Sequence, residues 1–278
     1  MTDFWAGAHC YVVEHNDSID KRYLYHTLKN KERDLQQSKQ GAGIPGLNRN
    51  TLYKQIIPIP SLSEQTRIVG ILDTFTSSID NLKQQIAERC KQYEYYRDQL
   101  LNLEGKEGVE MKIKDFCSLK AGKSIKAEEI VNSPSNDKYP CYGGNGIRGY
   151  VSSYSHDGEY PIIGRQGALC GCVNWATGKF YATEHAVVAT GNININQRFL
   201  LHLFQHADLN QYKTQGAQPG LSVAKLNEIT FVIPSLEEQS RIVSILDTFE
   251  ASIANLEAQL KQREKQYEYY RNKLLTFE

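Results

Sequence analysis

Apolar residues alternate at spacings of four and three along two stretches of the chain. The first seam runs through Ile68, Leu72, Phe75, Ile79, Leu82 and Ile86, then Tyr93, Tyr96, Leu100 and Leu103. The second runs through Ile242, Leu246, Phe249, Ile253, Leu256, Leu260, Tyr267, Tyr270, Leu274 and Phe277. Arg89 and Arg263 interrupt them at matching places. This alternation is the heptad of a helix that buries a narrow stripe against another helix. A helix of about 40 residues is about 60 Å long, and it cannot bury such a stripe alone. The pattern predicts two long helices, 61–104 and 235–278, packed seam to seam as an antiparallel coiled coil. Such a pair would set a fixed distance between whatever lies at its two ends.

The two stretches are copies. Pro60-Ser-Leu-Ser-Glu-Gln-Thr-Arg-Ile-Val-Gly-Ile-Leu-Asp-Thr-Phe75 answers Pro234-Ser-Leu-Glu-Glu-Gln-Ser-Arg-Ile-Val-Ser-Ile-Leu-Asp-Thr-Phe249. Roughly 29 of 45 positions are identical without a gap. Ser61 and Ser235 can cap, with Glu64 and Glu238 three residues on, as a capping box requires. The repeat also reaches backwards. Trp5 to Val13 predicts a strand, answered by Phe180 to Ala189. Asp20 to about Lys39 predicts an amphipathic helix with Tyr23, Leu24, Leu28 and Leu35 on its apolar side, answered by Asn196 to Tyr212. The turn Gln40 to Leu47 answers Gln215 to Leu221, and the extended segment Tyr53 to Pro60 answers Ile229 to Pro234. Nothing in the first copy matches residues 109 to about 178, where short apolar runs alternate with Gly turns and predict a β-rich domain. The expected class is α+β. The expected division is 1–60, the C-terminal half of a first globular domain; 61–104, a long helix; 105–108, a linker; 109–234, a complete second domain; and 235–278, the second long helix.

Charge adds little to this picture. Lys+Arg and Asp+Glu are both 32, so no global field draws the chain to nucleic acid; residues 109–235 carry about +2 by count. No apolar run approaches a membrane span, and Met1-Thr-Asp-Phe has no leader pattern. The six cysteines are scattered, which predicts a reduced, cytoplasmic setting.

Motifs point from catalysis towards binding. Gly41-Ala-Gly-Ile-Pro-Gly46 fits a dinucleotide loop in spelling only: a helix precedes it, and Pro45 sits inside it. Cys170-Gly-Cys172 has no second pair for zinc. No nucleophile elbow, P-loop, paired-histidine metalloprotease motif or adenine-methyltransferase motif is present. Tyr142-Gly-Gly-Asn-Gly-Ile-Arg-Gly-Tyr150 is richer. Its glycines let backbone approach a ligand; Asn145 can pair with adenine, and Arg148 with guanine or phosphate. Gly164-Arg-Gln-Gly167 presents Arg165 and Gln166 on a tight turn. Lys120 and Lys123 flank Gly122 and suit phosphates. Tyr142, Gln218 and Lys225 complete the candidate DNA contacts. The alternative is a set of Gly turns carrying solvated charges. Tyr93-Glu-Tyr-Tyr-Arg97 recurs at Tyr267 to Arg271. Tyr95, Arg97, Tyr269 and Arg271 lie off or beside the seam and are candidates for contact with another subunit.

The order of parts resembles the specificity subunit, HsdS, of type I restriction–modification enzymes. The carrying residues are the helix opening from Ile233, Gly-Leu-Ser-Val-Ala-Lys-Leu-Asn-Glu-Ile from Gly220, Tyr-Gly-Gly-Asn-Gly-Ile from Tyr142 and Gly-Arg-Gln-Gly from Gly164. The resemblance implies two target-recognition domains spaced by a coiled coil, each reading half of a bipartite site in double-stranded DNA. It implies methyltransferase subunits docked on the helices, with S-adenosylmethionine bound there and no cofactor on this chain. It implies a motor-nuclease subunit for cleavage, no catalysis by the chain itself and no membrane. The missing front of the first domain departs from the pattern. It suggests either a one-domain reader, through self-association, or a truncated or recombined scaffold that binds partners without reading a bipartite site.

Overall fold

The computed structural model describes residues 5–7, 9–38, 46–167, 169–214 and 219–277. In chain order the elements are α1 (Lys21–Asn30), α2 (Glu32–Gln37), α3 (Arg49–Tyr53), α4 (Leu62–Leu101), β1 (Val109–Lys112), α5 (Ile113–Phe116), β2 (Cys117–Ala121), β3 (Tyr139–Gly143), β4 (Gly146–Val151), β5 (His156–Gly164), β6 (Val173–Ala182), β7 (Ala186–Gly191), α6 (Gln197–His206), α7 (Val223–Leu226), β8 (Thr230–Ile233) and α8 (Leu236–Leu275). The chain is α+β, as expected. It divides into two units: Met1–Glu88 with Ile253–Glu278, and Arg89–Ser252.

In the first unit α1 packs where the start of α4 meets the end of α8. Asp20 caps α1, its carboxylate accepting from the Arg22 and Tyr23 amides. The core is Ile19, Tyr23, Ile68, Leu72 and Leu275, with Ile57, Tyr267 and Leu274 packed against it. Gln65 is buried in the first turn of α4. Its amide accepts from Asp20 N at 2.7 Å and donates to Ser18 O at 3.0 Å and Pro60 O at 2.8 Å. Further along, Phe75 stacks on Tyr270 at 5.3 Å, and Arg263 lies over the Phe75 ring at 5.7 Å. The arginine that breaks the seam thus covers an aromatic ring across it.

Two expectations change here. The helix foreseen from Asp20 to Lys39 breaks at Lys31, and α2 beyond the break buries no residue. The strand foreseen from Trp5 to Val13 is absent among the described residues, and Trp5 is 94% exposed. The counterpart strand β7 lies hydrogen-bonded between β2 and β5. The described residues before Val109 form no strand, so this segment has nothing there to pair its backbone with. The Gly41 to Gly46 motif lies outside the described residues except for Gly46.

The second unit repeats this arrangement and adds a sheet. Its strand order is β2-β7-β5-β6-β3-β4, antiparallel except for β3 against β6, with β1 and β8 as a separate pair. α6 lies on β5, β6 and β7. Buried Phe199, Leu200, Leu203 and Phe204 join Ile163, Val187, Ala189, Ile242 and Leu246 in the main core. Gln239 repeats the Gln65 clamp, accepting from Asn196 N at 2.9 Å and donating to Asn194 O at 3.2 Å and Pro234 O at 2.9 Å. Tyr96 stacks on Phe249 at 5.3 Å, with Arg89 over that ring at 5.7 Å. In each unit, then, the early part of one long helix meets the late part of the other, and the pairing is antiparallel.

A polar cluster also repeats. In the first unit Asp73 accepts from the Arg22 guanidinium and from His26 Nε2 at 2.7 Å, while His26 Nδ1 meets the Tyr267 hydroxyl at 3.2 Å. In the second, Asp247 accepts from Arg198 at 2.6 Å and from His202 Nε2 at 2.8 Å. Both imidazoles are fully buried. Glu250 stands where the first unit has Thr76. It accepts from Arg198 at 2.8 Å and from the Tyr93 hydroxyl at 3.1 Å, so the tyrosine turns to the carboxylate and leaves His202 Nδ1 without a hydrogen-bond partner among the described residues.

Two outcomes are expected. A double-mutant cycle of Phe75→Ala and Tyr270→Ala, followed by urea unfolding, should give a coupling of about 0.5–1.5 kcal/mol, the value of a stacked pair beyond its buried area. Zero coupling would mean that the helices do not meet there. The second outcome concerns pH. Burial holds His26 and His202 below the usual histidine range, outweighing their aspartate partners. The unfolded chain therefore gains protons first, and stability should fall as pH drops below about 6.5. The Arg22 bond holds Asp73 low; burial pushes Asp247 up, but Arg198 and His202 more than offset it. That contribution should be complete above about pH 4 and lost below it. In His26→Gln/His202→Gln the loss that starts near pH 6.5 should disappear, while the acid-limb loss remains; an unchanged urea midpoint profile would refute the assignment.

Candidate nucleic-acid interface

Three connections of the second unit's sheet meet at one place. The first is the β3–β4 hairpin. Gly143 pairs with Gly146, leaving Gly144-Asn145 as the turn. Gly146 takes φ +80°, the left-handed conformation that closes a turn of this kind. The register shifts so that Cys141 pairs with Gly149 and Tyr142 with Ile147, which bulges Arg148 out of the ladder. Bulges re-aim side chains. Arg148 is exposed, and its stem lies against Gly143, where a Cβ would stand 3.6 Å from the Arg148 Cβ.

The second connection follows β5. Arg165 N donates to His185 O at 2.9 Å, and Arg165 O accepts from Leu221 N at 2.8 Å. Gly167 N donates to Pro219 O at 3.1 Å. Backbone bonds on both sides hold Arg165 and Gln166 in place. The two Gly-rich loops touch: a Cβ on Gly164 would fall 1.9 Å from Gly144 O, and one on Gly144 would fall 2.6 Å from Gln166 O. Any larger residue at either position would push the loops apart.

The third connection is the turn Thr183–Ala186 between β6 and β7. Thr183 N donates to Tyr142 O at 3.0 Å, and Ala186 N to Thr183 O at 3.0 Å. Together the loops enclose a cleft of about 300 Å³ lined by Gly144, Gln166, Gly167 and His185. Beneath the hairpin, burial pushes the Cys141 thiol up, Arg148 pulls it down and Glu184 pushes it up.

Of the candidates, Asn145, Arg148, Arg165 and Gln166 thus come to adjoining loops; Asn145, Arg148 and Gln166 are exposed and Arg165 is half-buried. Lys123 is exposed, and its amide donates to Ala182 O at 3.0 Å, beside the β6–β7 turn. Lys120 is exposed on the edge strand β2, opposite Val188. Lys225 is exposed on α7. Gln218 lies outside the described residues. Tyr142 takes a different role from the one expected. It is 7% exposed, packs edge-on against Phe180 at 5.6 Å and donates its hydroxyl to Trp175 O at 3.3 Å. It supports the hairpin from below and offers a ligand little surface. Sequence reading missed Thr183, Glu184 and His185. The signal was a polar triplet between Ala182 and Ala186 inside an apolar run.

The tyrosine clusters separate as their heptad positions suggest. Tyr95 and Tyr269 are 61% and 59% exposed. Arg97 is half-buried, lies over the Tyr93 ring at 5.8 Å and pairs with Asp98 at 3.1 Å. Arg271 lies over Tyr267 at 5.3 Å and donates to Asn30 at 3.1 Å. Both arginines already hold partners within their units. His202, Asp247 and Glu250 have the spacing of metal ligands, but Arg198 bonds both carboxylates and supplies the positive charge there.

The type I restriction modification DNA specificity domain matches residues 1–91 and 106–265. The specificity subunit of the EcoprrI type I restriction enzyme of Escherichia coli is 39% identical over 248 residues, which cover 84% of this chain and 62% of that protein. The chain thus spans under two thirds of that relative's length. A putative type I specificity subunit of Haemophilus influenzae is 37% identical over 99% of this chain and 77% of its own length. One from Mycoplasma pneumoniae is 31% identical over 84% of this chain and 91% of its own length. The crystal structure of a type I restriction–modification S subunit from M. genitalium superposes with a TM-score of 0.70 at 18% identity, covering 94% of this chain and 74% of that one, and shares the fold. By the domain matched in both copies of its repeat and by these relatives, the chain belongs to the specificity subunits of type I restriction–modification systems.

Proposed function

We propose that this chain is a DNA-reading specificity subunit that catalyses nothing itself. The observation that carries the proposal is the meeting of the two Gly-rich loops, which sets Asn145, Arg148, Arg165 and Gln166 side by side at one end of the sheet. Asparagine, glutamine and arginine read adenine and guanine edges in the major groove, and exposed Lys120, Lys123 and Lys225 suit phosphates. In this reading residues 109–234 recognise a half-site in double-stranded DNA. Methyltransferase subunits dock on the paired helices through Tyr95 and Tyr269 and bring S-adenosylmethionine with them. A motor-nuclease subunit joins for cleavage. No helix among the described residues is long and apolar enough to cross a membrane, which agrees with action on cytoplasmic DNA.

A second reading rests on the first unit. Its described residues contain α1 to α3 but no strand, so they present no sheet-borne loops. In this alternative the chain is an interaction scaffold that holds partner subunits without productive reading of a bipartite site.

The readings are separated by binding to a panel of duplexes carrying single-base changes, at two salt concentrations and with the methyltransferase subunit present. Arg165→Ala and Asn145→Ala should each relax one position, at about 1–3 kcal/mol. Lys123→Ala should weaken all sequences alike and lower the salt slope by about one. If none of the three changes affinity or specificity in a folded chain, the reading surface is elsewhere.

A further inference from the structure

We propose that Cys172 is a positioning residue for DNA reading: its thiol holds the Asn145 amide with the oxygen turned inward and Nδ2 as the free end. This rests on the DNA-reading assignment of the β3–β4 turn. The thiol stands where the two Gly-rich loops meet. Cys172 Sγ donates to Gly144 O at 3.7 Å and to Asn145 Oδ1 at 3.7 Å, sharing its one proton between two oxygens of the same turn. Among the described residues this is the one hydrogen bond of the Asn145 side chain. Cys172 is half-buried, whereas Asn145 is exposed.

The sulfur is itself held in place. Asn174 Nδ2 donates to it at 3.6 Å. Gly164 N donates to Cys172 O at 2.9 Å, and a Cβ on Gly164 would fall 3.3 Å from the sulfur. Asn174 pairs with Ile162 in the β5–β6 ladder. Its Oδ1 lies against Gly146, where a Cβ would stand 3.2 Å away. A chain of contacts thus runs from the sheet through Asn174 and Cys172 to the tip of the turn. The two ends of an amide are opposite in kind: the oxygen accepts and the nitrogen donates. A freely rotating asparagine offers either end to a base edge, whereas a tethered one offers a single arrangement that need not be ordered on binding. A thiol is a weak donor. It suits the orientation of one amide, while the turn itself is closed by the pairing of Gly143 with Gly146.

The test uses the full chain assembled with its methyltransferase subunit. Its site is enriched from a random duplex library, and binding is then measured to every single-base variant of that site. Asn145→Ala marks the position that Asn145 reads. Two substitutions at Cys172 separate the hydrogen bond from packing: Cys172→Val fills the space without a donor, and Cys172→Ser keeps a donor but fills less space. Cys172→Val should lose discrimination at the marked position alone, by about ten-fold, in an assembly that melts with the wild type. Cys172→Ser should keep most of that discrimination. Adding Cys172→Val to Asn145→Ala should cost nothing further, because both remove one interaction. Where valine overpacks the site and the chain does not fold, Cys172→Ala removes the donor in its place and carries the same expectation. Discrimination kept without the donor, or lost in Cys172→Ser as fully as in Cys172→Val, would overturn this inference and leave the DNA-reading function standing. If Asn145→Ala marks no position, the reading of this turn falls and the inference falls with it.

Discussion

Each half of the chain depends on one buried glutamine. Gln65 and Gln239 sit in the first turn of the long helices, 0% and 1% exposed. Each accepts from the amide of a residue that caps the neighbouring helix, Asp20 or Asn196, and donates to two carbonyls of the incoming chain. A buried amide left unpaired would cost about 1–3 kcal/mol for each group, so its three bonds form together or the helix start rearranges. This joins three things: the direction in which the chain enters the long helix, the cap of α1 or α6, and the packing of that helix on the long one. Tyr23 and Ile68, or Phe199 and Ile242, then fill the space beside the clamp.

The long helices were legible because a heptad reports a partner of the same kind, and the partner lay in the same chain. Even the two arginines that broke the seam obey it, since each lies over a phenylalanine of the opposite helix. The opening strand was misread because strand propensity describes a surface to be covered, whereas a strand needs neighbours. Residues 5–13 carry the pattern, but the first unit's described residues offer no ladder. The polar clusters were hidden for another reason. His26, Asp73 and Tyr267 lie on three separate segments, and a lone histidine on an apolar face gives no sign of its partner.

The two polar clusters also show how copies drift under one constraint. Both units retain Arg, His, Asp and Tyr in equivalent places. Where the first has Thr76, the second has Glu250, and one added carboxylate redirects the Tyr93 hydroxyl and shares Arg198 Nη2 with Asp247. Burial and Glu250 together push the Tyr93 phenol above its ordinary range. The aspartate–histidine bond survives in both because each unit buries the imidazole completely, and a buried ring with neither donor nor acceptor met would be the costlier state.

At the candidate interface, backbone holds the loops and side chains form their exposed tips. The loops are held to one another by backbone: Arg165 N to His185 O, Leu221 N to Arg165 O, Thr183 N to Tyr142 O. Glycines at 144 and 164 permit the approach, and Tyr142 and Phe180 pack beneath the hairpin. Asn145 Oδ1 accepts from Cys172 Sγ at 3.7 Å, whereas the side chains of Arg148 and Gln166 supply none of the backbone bonds that hold the loops together. They can therefore be exchanged with little effect on the fold. If these tips read DNA as proposed, exchanging them would change what is recognised while the glycines and core stay as they are. In the proposed reading, that division of labour, more than net charge, lets a chain with equal numbers of acidic and basic residues discriminate among DNA sequences.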